Sequence, residues 1–424
     1  MKPFIAQEKL VSLIVMALFS GIAGAQQAGS DATGIPTPQK APQVGAGGVP
    51  TQEQQRAGGV PMGPLTAYPS VTYQLQRNDN LFLQAPNSGL VKSDTIQVLN
   101  PSVRFEGKQG ANVYGLDLGA TSGRYTDSGA DNYDDNNVAA SANLNPEARV
   151  RLGLRAEHLD IHDPRGSTND PLTPTPNRYR QGTLGGIFGY GAPGAQGRFE
   201  LELGGMDKHY YNNRATTAIN DQNHRYGGGT FFWRIAPKTS LLAQLKRTNI
   251  DFTDSTSRLD STETRLLGGI TWEATAATTG IFKVGQVKKD FKDSTLVDFT
   301  GTSWEGQVRW SPLTYSRWDF STSKTPRETT GGVGTFILGT TYAARWTHAW
   351  TSQFSSEVSA SHSIDDYKGI DRSDKINNAG LKGTYQMRRW LSFGAEYRWG
   401  KRDSNVDTAD YTNNVFLLFV NASL

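Results

Sequence analysis

Arg149-Val150-Arg151-Leu152-Gly153-Leu154-Arg155-Ala156-Glu157 alternates without a break. In an extended chain successive side chains point to opposite sides, so Val150, Leu152, Leu154 and Ala156 share one face. Arg149, Arg151, Gly153, Arg155 and Glu157 share the other. A helical period would scatter both sets. The same period of two recurs from Tyr114 to Ala120, from Trp304 to Trp310 and from Leu391 to Trp399. Each strand separates a greasy medium from a charged, hydrated one.

The connections between such segments alternate in length. Short ones fall near Gly107 to Gly110, Ala236 to Thr239, Ser311 to Tyr315 and Met387 to Trp390. Long ones, rich in Asp, Asn, Ser and Gly, include Asn78 to Ser93, His162 to Arg178, Asn212 to Asn223 and Asp365 to Asp374. A soluble two-sheet sandwich has no reason to shorten every second loop. The pattern predicts an all-β fold, a closed antiparallel transmembrane β-barrel of about 18 strands, roughly 16 to 18. Closure is required because hydrocarbon offers no partner to the N–H and C=O groups of an open edge. An even count places both termini on the periplasmic side of a bacterial outer membrane.

The 424 residues are 36% hydrophobic and 20% charged, with a formal charge of +3. No helical membrane protein has that composition, and the balanced charge gives no footprint for nucleic acid. The absence of Cys excludes disulfides, thiolate metal sites and thiol catalysis.

The barrel occupies 68–424 in this reading. Before it, 1–25 reads as a signal peptide: Lys2 and Lys9, an apolar run from Leu10 to Phe19, then Ala23-Gly24-Ala25. Residues 26–67 read as a Gly/Pro/Gln-rich disordered linker in which Ala-Gly-Gly-Val-Pro occurs at Ala46 to Pro50 and again at Ala57 to Pro61.

Alternation assigns Arg149, Arg151, Arg155, Glu157, Glu200, Glu202, Arg265, Glu305, Arg309, Lys382, Glu396 and Arg398 to the lumen. Both signs are present, which suits a hydrated, hydroxyl-rich or zwitterionic solute better than a single ion. Trp304, Trp310, Trp318, Trp346, Trp350, Trp390 and Trp399 are the candidates for interfacial aromatic girdles. His158, His162, His209, His224 and His362 lie near long loops but in no nucleophile or metal-ligand motif, and Asp127, Asp131, Asp134 and Asp135 lack the spacing of a calcium loop. A channel is expected, not an enzyme, with neither cofactor nor metal. The Pro-rich loop from His162 to Arg178, headed by the turn residues Asp163-Pro164-Arg165-Gly166, is a candidate for folding back over the pore.

Tyr73 to Phe82, Tyr133-Asp134-Asp135 and Asp163 to Gly166 also resemble segments of porin-like outer-membrane β-barrels encoded with exopolysaccharide biosynthesis clusters, the EpsL-type proteins of a wider β-barrel porin family. The resemblance implies export of a secreted polysaccharide, with a periplasmic polysaccharide export protein and an inner-membrane synthase or flippase as partners. Outer-membrane lipid, lipopolysaccharide and the barrel assembly machinery are expected partners of any such barrel. The alternative is a general diffusion or uptake porin for small solutes such as sugars. Fold alone does not separate the two.

Overall fold

The computed structural model describes residues 58–275 and 277–424. The expected signal peptide, and the linker before residue 58, lie outside them. The described residues form one antiparallel sheet of nineteen strands. In chain order these are β1 (Val60–Met62), β2 (Leu65–Asn78), β3 (Asp94–Gln109), β4 (Asn112–Tyr125), β5 (Tyr133–Leu144), β6 (Val150–His162), β7 (Arg178–Tyr190), β8 (Gly197–Tyr210), β9 (Gln222–Ala236) and β10 (Thr239–Phe252). There follow β11 (Ser261–Thr275), β12 (Thr278–Phe291), β13 (Phe299–Leu313), β14 (Ser316–Arg327), β15 (Phe336–Ala349), β16 (Phe354–Lys368), β17 (Arg372–Arg388), β18 (Leu391–Ser404) and β19 (Tyr411–Ser423). From β2 onward each strand pairs with the next, and β19 returns to β2 from Val415↔Asn78 to Ser423↔Ser70. β2 to β19 are thus a closed ring of eighteen.

The register explains the alternating connections. One rim carries tight turns such as Gly110, held at φ +60° between β3 and β4. The other carries 79–93, 163–177 and 211–221. Both ends of the ring, Leu65 and Ser423, lie on the short-turn rim. Two expected boundaries need correction. Asp365 to Asp374 is not a long loop: Asp365 pairs with Asp374 inside β16 and β17, and only 369–371 turn the chain. Polar residues that stand clear of lipid can extend a ladder as well as apolar ones, so their polarity does not mark a strand end.

The linker likewise ends earlier than 67. β2 begins at Leu65, and the second Ala-Gly-Gly-Val-Pro copy supplies β1, which folds back through Gly63 (φ +62°) to pair Val60 with Ala67 and Met62 with Leu65. β1 covers the stretch of β2 that lies below its pairing with β19. Pro61, with no N–H to give, takes the place where that group would point to the open side.

Burial is inverted relative to a soluble protein. Leu184 and Leu266 are 66% and 61% exposed, whereas Arg151 and Glu200 are 4% and 3% exposed. An apolar surface that extends round the whole ring is compatible with hydrocarbon and not with water. The Trp positions are less even than expected. Trp310, Trp318 and Trp346 form one cross-strand row beside the short turns, with Trp350 and Trp390 at the turns themselves. Trp318 and Trp346 stack at 5.6 Å between ring centres. Trp304 and Trp399 are not at that rim: they sit inside β13 and β18, opposite Lys324 and Asn414. Charged outward side chains, not a second row of Trp, mark the long-loop edge.

Candidate functional site: the channel wall and its mouth

Because register is continuous round the ring, one parity on each strand defines the inner wall. The charges there are paired with one another. Arg151 reaches Glu200 at 3.2 Å, and Arg198 approaches the same carboxylate at 3.7 Å while lying 4.0 Å over the Phe232 ring. Glu202 takes Lys246 at 3.1 Å, and Arg155 takes Glu157 at 3.1 Å. Glu305 is held between Arg265 and Lys283, the latter at 2.6 Å. Arg309 and Arg317 share Asp319 at 2.7 and 2.8 Å, and Arg398 pairs with Glu396. Lys382 sits 5.1 Å over the Phe419 ring.

Eleven of the twelve candidates therefore lie on strands at inner-wall positions, and Arg149 does not. It precedes β6, is exposed at the short-turn rim and lies 4.7 Å over the ring of Tyr190, since the strand that would aim it inward has not yet begun. Other members of the wall escaped sequence reasoning. Arg104 binds both oxygens of Asp117 at 3.1 Å, and Phe232, Leu267 and Val287 are buried inner residues. The doublets Leu241-Leu242 and Leu266-Leu267 put Leu on both faces, which hides the alternation.

The mouth is crossed by a strap, residues 163–177. Its base is set by Asp163, which accepts from Tyr210 Oη at 2.8 Å, and by Arg165, whose Nε donates to Asp131 at 2.6 Å while its guanidinium lies 5.5 Å from the Phe82 ring. Gly166 has φ +72°, and a Cβ there would come within 2.3 Å of the Phe82 carbonyl oxygen, so the close crossing of the two loops requires glycine. The strap leaves the ring between β6 and β7 and is pinned between β16 and β17, near the opposite side. Asn169 Oδ1 accepts from Tyr367 Oη at 3.2 Å and from Arg372 Nη1 at 3.1 Å, and its backbone N–H donates to Thr330 Oγ1 at 2.9 Å. Asp170 accepts from Asn220 Nδ2 at 2.8 Å, and Asn220 Oδ1 in turn accepts from the Gly331 N–H at 3.1 Å. Burial pushes the Asp170 carboxyl above its ordinary range, against the pull of the Asn220 amide.

The strap stands on a Lys208 ammonium enclosed by aromatic rings, 3.9 Å from the Tyr179 centre and 4.7 Å from the Tyr210 centre. The histidines do not converge. His162 meets Asp135 at 2.9 Å, His209 meets Asp221 at 2.6 Å, His224 meets Gln222 at 2.8 Å and His362 meets Asn377 at 2.8 Å, each at a separate place. Of the acidic cluster, Asp131, Asp134 and Asp135 are each spent on a different partner, Arg165, Arg124 and His162. No group of three or more potential metal ligands occurs among the described residues.

An eighteen-strand lipid-facing ring with a charged, hydrated interior defines an outer-membrane β-barrel channel. A family profile described as "Putative beta-barrel porin 2" matches residues 55–424, and the chain belongs to that porin family. No curated protein matches the chain. Among solved structures it is similar to OccK5 (OpdH) of Pseudomonas aeruginosa, with 11% identity over 85% of this chain and 98% of that one and a TM-score of 0.47. OprD of the same organism matches at 15% identity over 84% and 95%, with a TM-score of 0.44. A BenF-like porin from Pseudomonas fluorescens Pf-5 matches at 10% identity over 84% and 99%, with a TM-score of 0.48.

Proposed function

We propose that the protein is a passive channel for small neutral or zwitterionic hydrophilic solutes of the sugar class, with the long-loop rim outside and both barrel ends in the periplasm. The observation that carries this reading is the strap, which crosses the mouth and is held on the far wall through Asn169. A chain fixed across the opening admits what fits beside it and excludes a bulky polymer. The wall supports the same reading. Its carboxylates are each met by a neighbouring cation, and the further cations, such as Arg198, Arg317 and Lys382, are spread round the ring and not gathered into a single-sign constriction of the kind that selects an ion. Hydroxyls of Ser321, Ser323, Thr341, Ser361 and Ser363 on β14 to β16 offer exchangeable hydrogen bonds along the path. Liposome swelling with a size series of saccharides tests it: rapid swelling with monosaccharides and a steep fall with size are expected, and no swelling with any of them would overturn it.

Export of a secreted polysaccharide, with a periplasmic polysaccharide export protein as partner, is the second reading. The hydroxyl-lined wall favours it, together with the short segments that resemble exopolysaccharide-cluster barrels. It requires the strap to swing clear. Deleting the gene and assaying surface and periplasmic polymer together separates the two: polymer trapped in the periplasm supports export, and normal polymer in both places removes it.

A further inference from the structure

We propose that the outer wall of β6 to β9 is a seat for the phosphorylated, multiply acylated glycolipid of the outer leaflet, a site that rests on the long-loop rim facing outward. A furrow of about 930 Å³ runs along this wall. Leu154, Leu184, Phe188 and Leu203 form its sides, and Gly186 and Gly205 its floor. Register explains the shape, because Gly186 lies between Leu154 and Leu203 on the neighbouring strands and Gly205 lies beside Leu184. Leu184 and Leu203 are exposed on the membrane side, so the furrow is filled from the membrane or by another protein.

The end of the furrow toward the long loops discriminates between these. There it meets Asp207, Asn223 and Arg225. Arg225 on β9 and Arg247 on β10 are both exposed, and neither has an ion-pair partner among the described residues. Arg247 is opposite Gly227, one outward position along β9 from Arg225, which sets the two side-chain bases about 7–8 Å apart. Lys288 follows beyond Thr264 in the same row and is paired with Asp290 at 2.7 Å. The Asp207 carboxylate leans over Gly182, on the β7 side, with Oδ1 only 2.7 Å from where a Cβ of that glycine would be. Two uncompensated guanidinium forks above an apolar furrow match a lipid that carries phosphate above its acyl chains. A zwitterionic headgroup would bring its own cation to them.

The test uses the full-length protein in detergent, incubated with bis-phosphorylated lipid A, phosphatidylglycerol or phosphatidylcholine and read by native mass spectrometry. Lipid A is expected to be retained in preference to the other two, and the double variant Arg225→Gln/Arg247→Gln to lower that retention about tenfold, the worth of one charge-assisted bond. Equal retention by the double variant, equal retention of phosphatidylglycerol, or a lipid-free protein dimer would each overturn the assignment. An unchanged heat-shift on electrophoresis shows that the double variant is folded. Conductance of the same preparation reads the channel separately, and surface labelling of Ser255→Cys in intact cells reads which rim is outside, so failure of either is distinguishable from failure of the lipid site.

Discussion

Arg372 donates from Nη1 to the amide oxygen of Asn169 at 3.1 Å, linking the wall at β17 to a strap rooted between β6 and β7. Arg372 is itself fixed, since Nε and Nη2 both bond Asp374, at 2.9 and 2.6 Å. The strap therefore lands on a rigid, pre-oriented donor.

Replacing Asn169 by Ala removes two side-chain bonds at that landing, a loss of roughly 1–3 kcal/mol. Single-channel conductance is expected to rise and to fluctuate more, while the barrel's heat-shift temperature stays where it was. Recordings identical to the wild type would show that the strap does not depend on this contact.

Acidification is expected to have the opposite effect. The Asp170 carboxyl is raised by burial under the docked strap, so the docked state prefers the protonated form. Its stabilisation is full below the unperturbed value of about 3.9 and is lost as pH rises through the raised one. Conductance should fall as the pH drops through that window, and Asp170→Asn should hold the low value at neutral pH. A variant that keeps the wild-type pH profile would exclude Asp170 as the titrating group.

Glu305 offers a selectivity test, because it is the carboxylate bonded to both Arg265 and Lys283. Glu305→Gln removes one negative charge and makes the wall more positive by one unit. In water one unit charge at 8 Å is worth about 0.5 kcal/mol, roughly a factor of two. Reversal potentials in a salt gradient should shift toward anions by at least that ratio, and a shift toward cations would contradict the pairing.

At the seam, Asn413 is fully buried and donates to Asn78 Oδ1 at 2.6 Å and to the Asn80 carbonyl at 3.0 Å. Asn413→Leu removes both bonds, while Asn78 Oδ1 still accepts from the Asn80 N–H and the Asn80 carbonyl from the Leu83 N–H, so the loss is about 0.5–1.5 kcal/mol for each bond. The temperature of the electrophoretic heat-shift should drop, with conductance of the surviving barrels unchanged. No drop would mean that water replaces the amide.

What the sequence discloses follows from what surrounds each residue. Val150 to Glu157 was legible because lipid and water impose opposite demands on alternate side chains. Asp365 to Asp374 has the composition of a loop yet forms ladder, since above the membrane both faces of a strand are wet and the alternation fades. The loop from His162 to Arg178 announced itself by length and by its Asp-Pro-Arg-Gly head, and it does fold over the pore. Its landing on Tyr367 and Arg372, about 200 positions away, left no local trace. Ion pairs such as Arg265 with Glu305 are likewise set by register across strands and not by spacing along one.

The ring joins its first strand to its last, and Asn421 bonds the Val71 carbonyl across a separation of 350 residues. Such a contact carries the highest loop-closure entropy of any ladder in the molecule and gains nothing until the strands between are in place. Closure is then the final act of biogenesis, and the growing sheet must be sheltered at both margins until that moment. The short β1 hairpin changes the ending: once the seam zips, Val60 to Met62 cover the stub of β2 that β19 does not reach, and the proline there denies a neighbouring barrel a foothold.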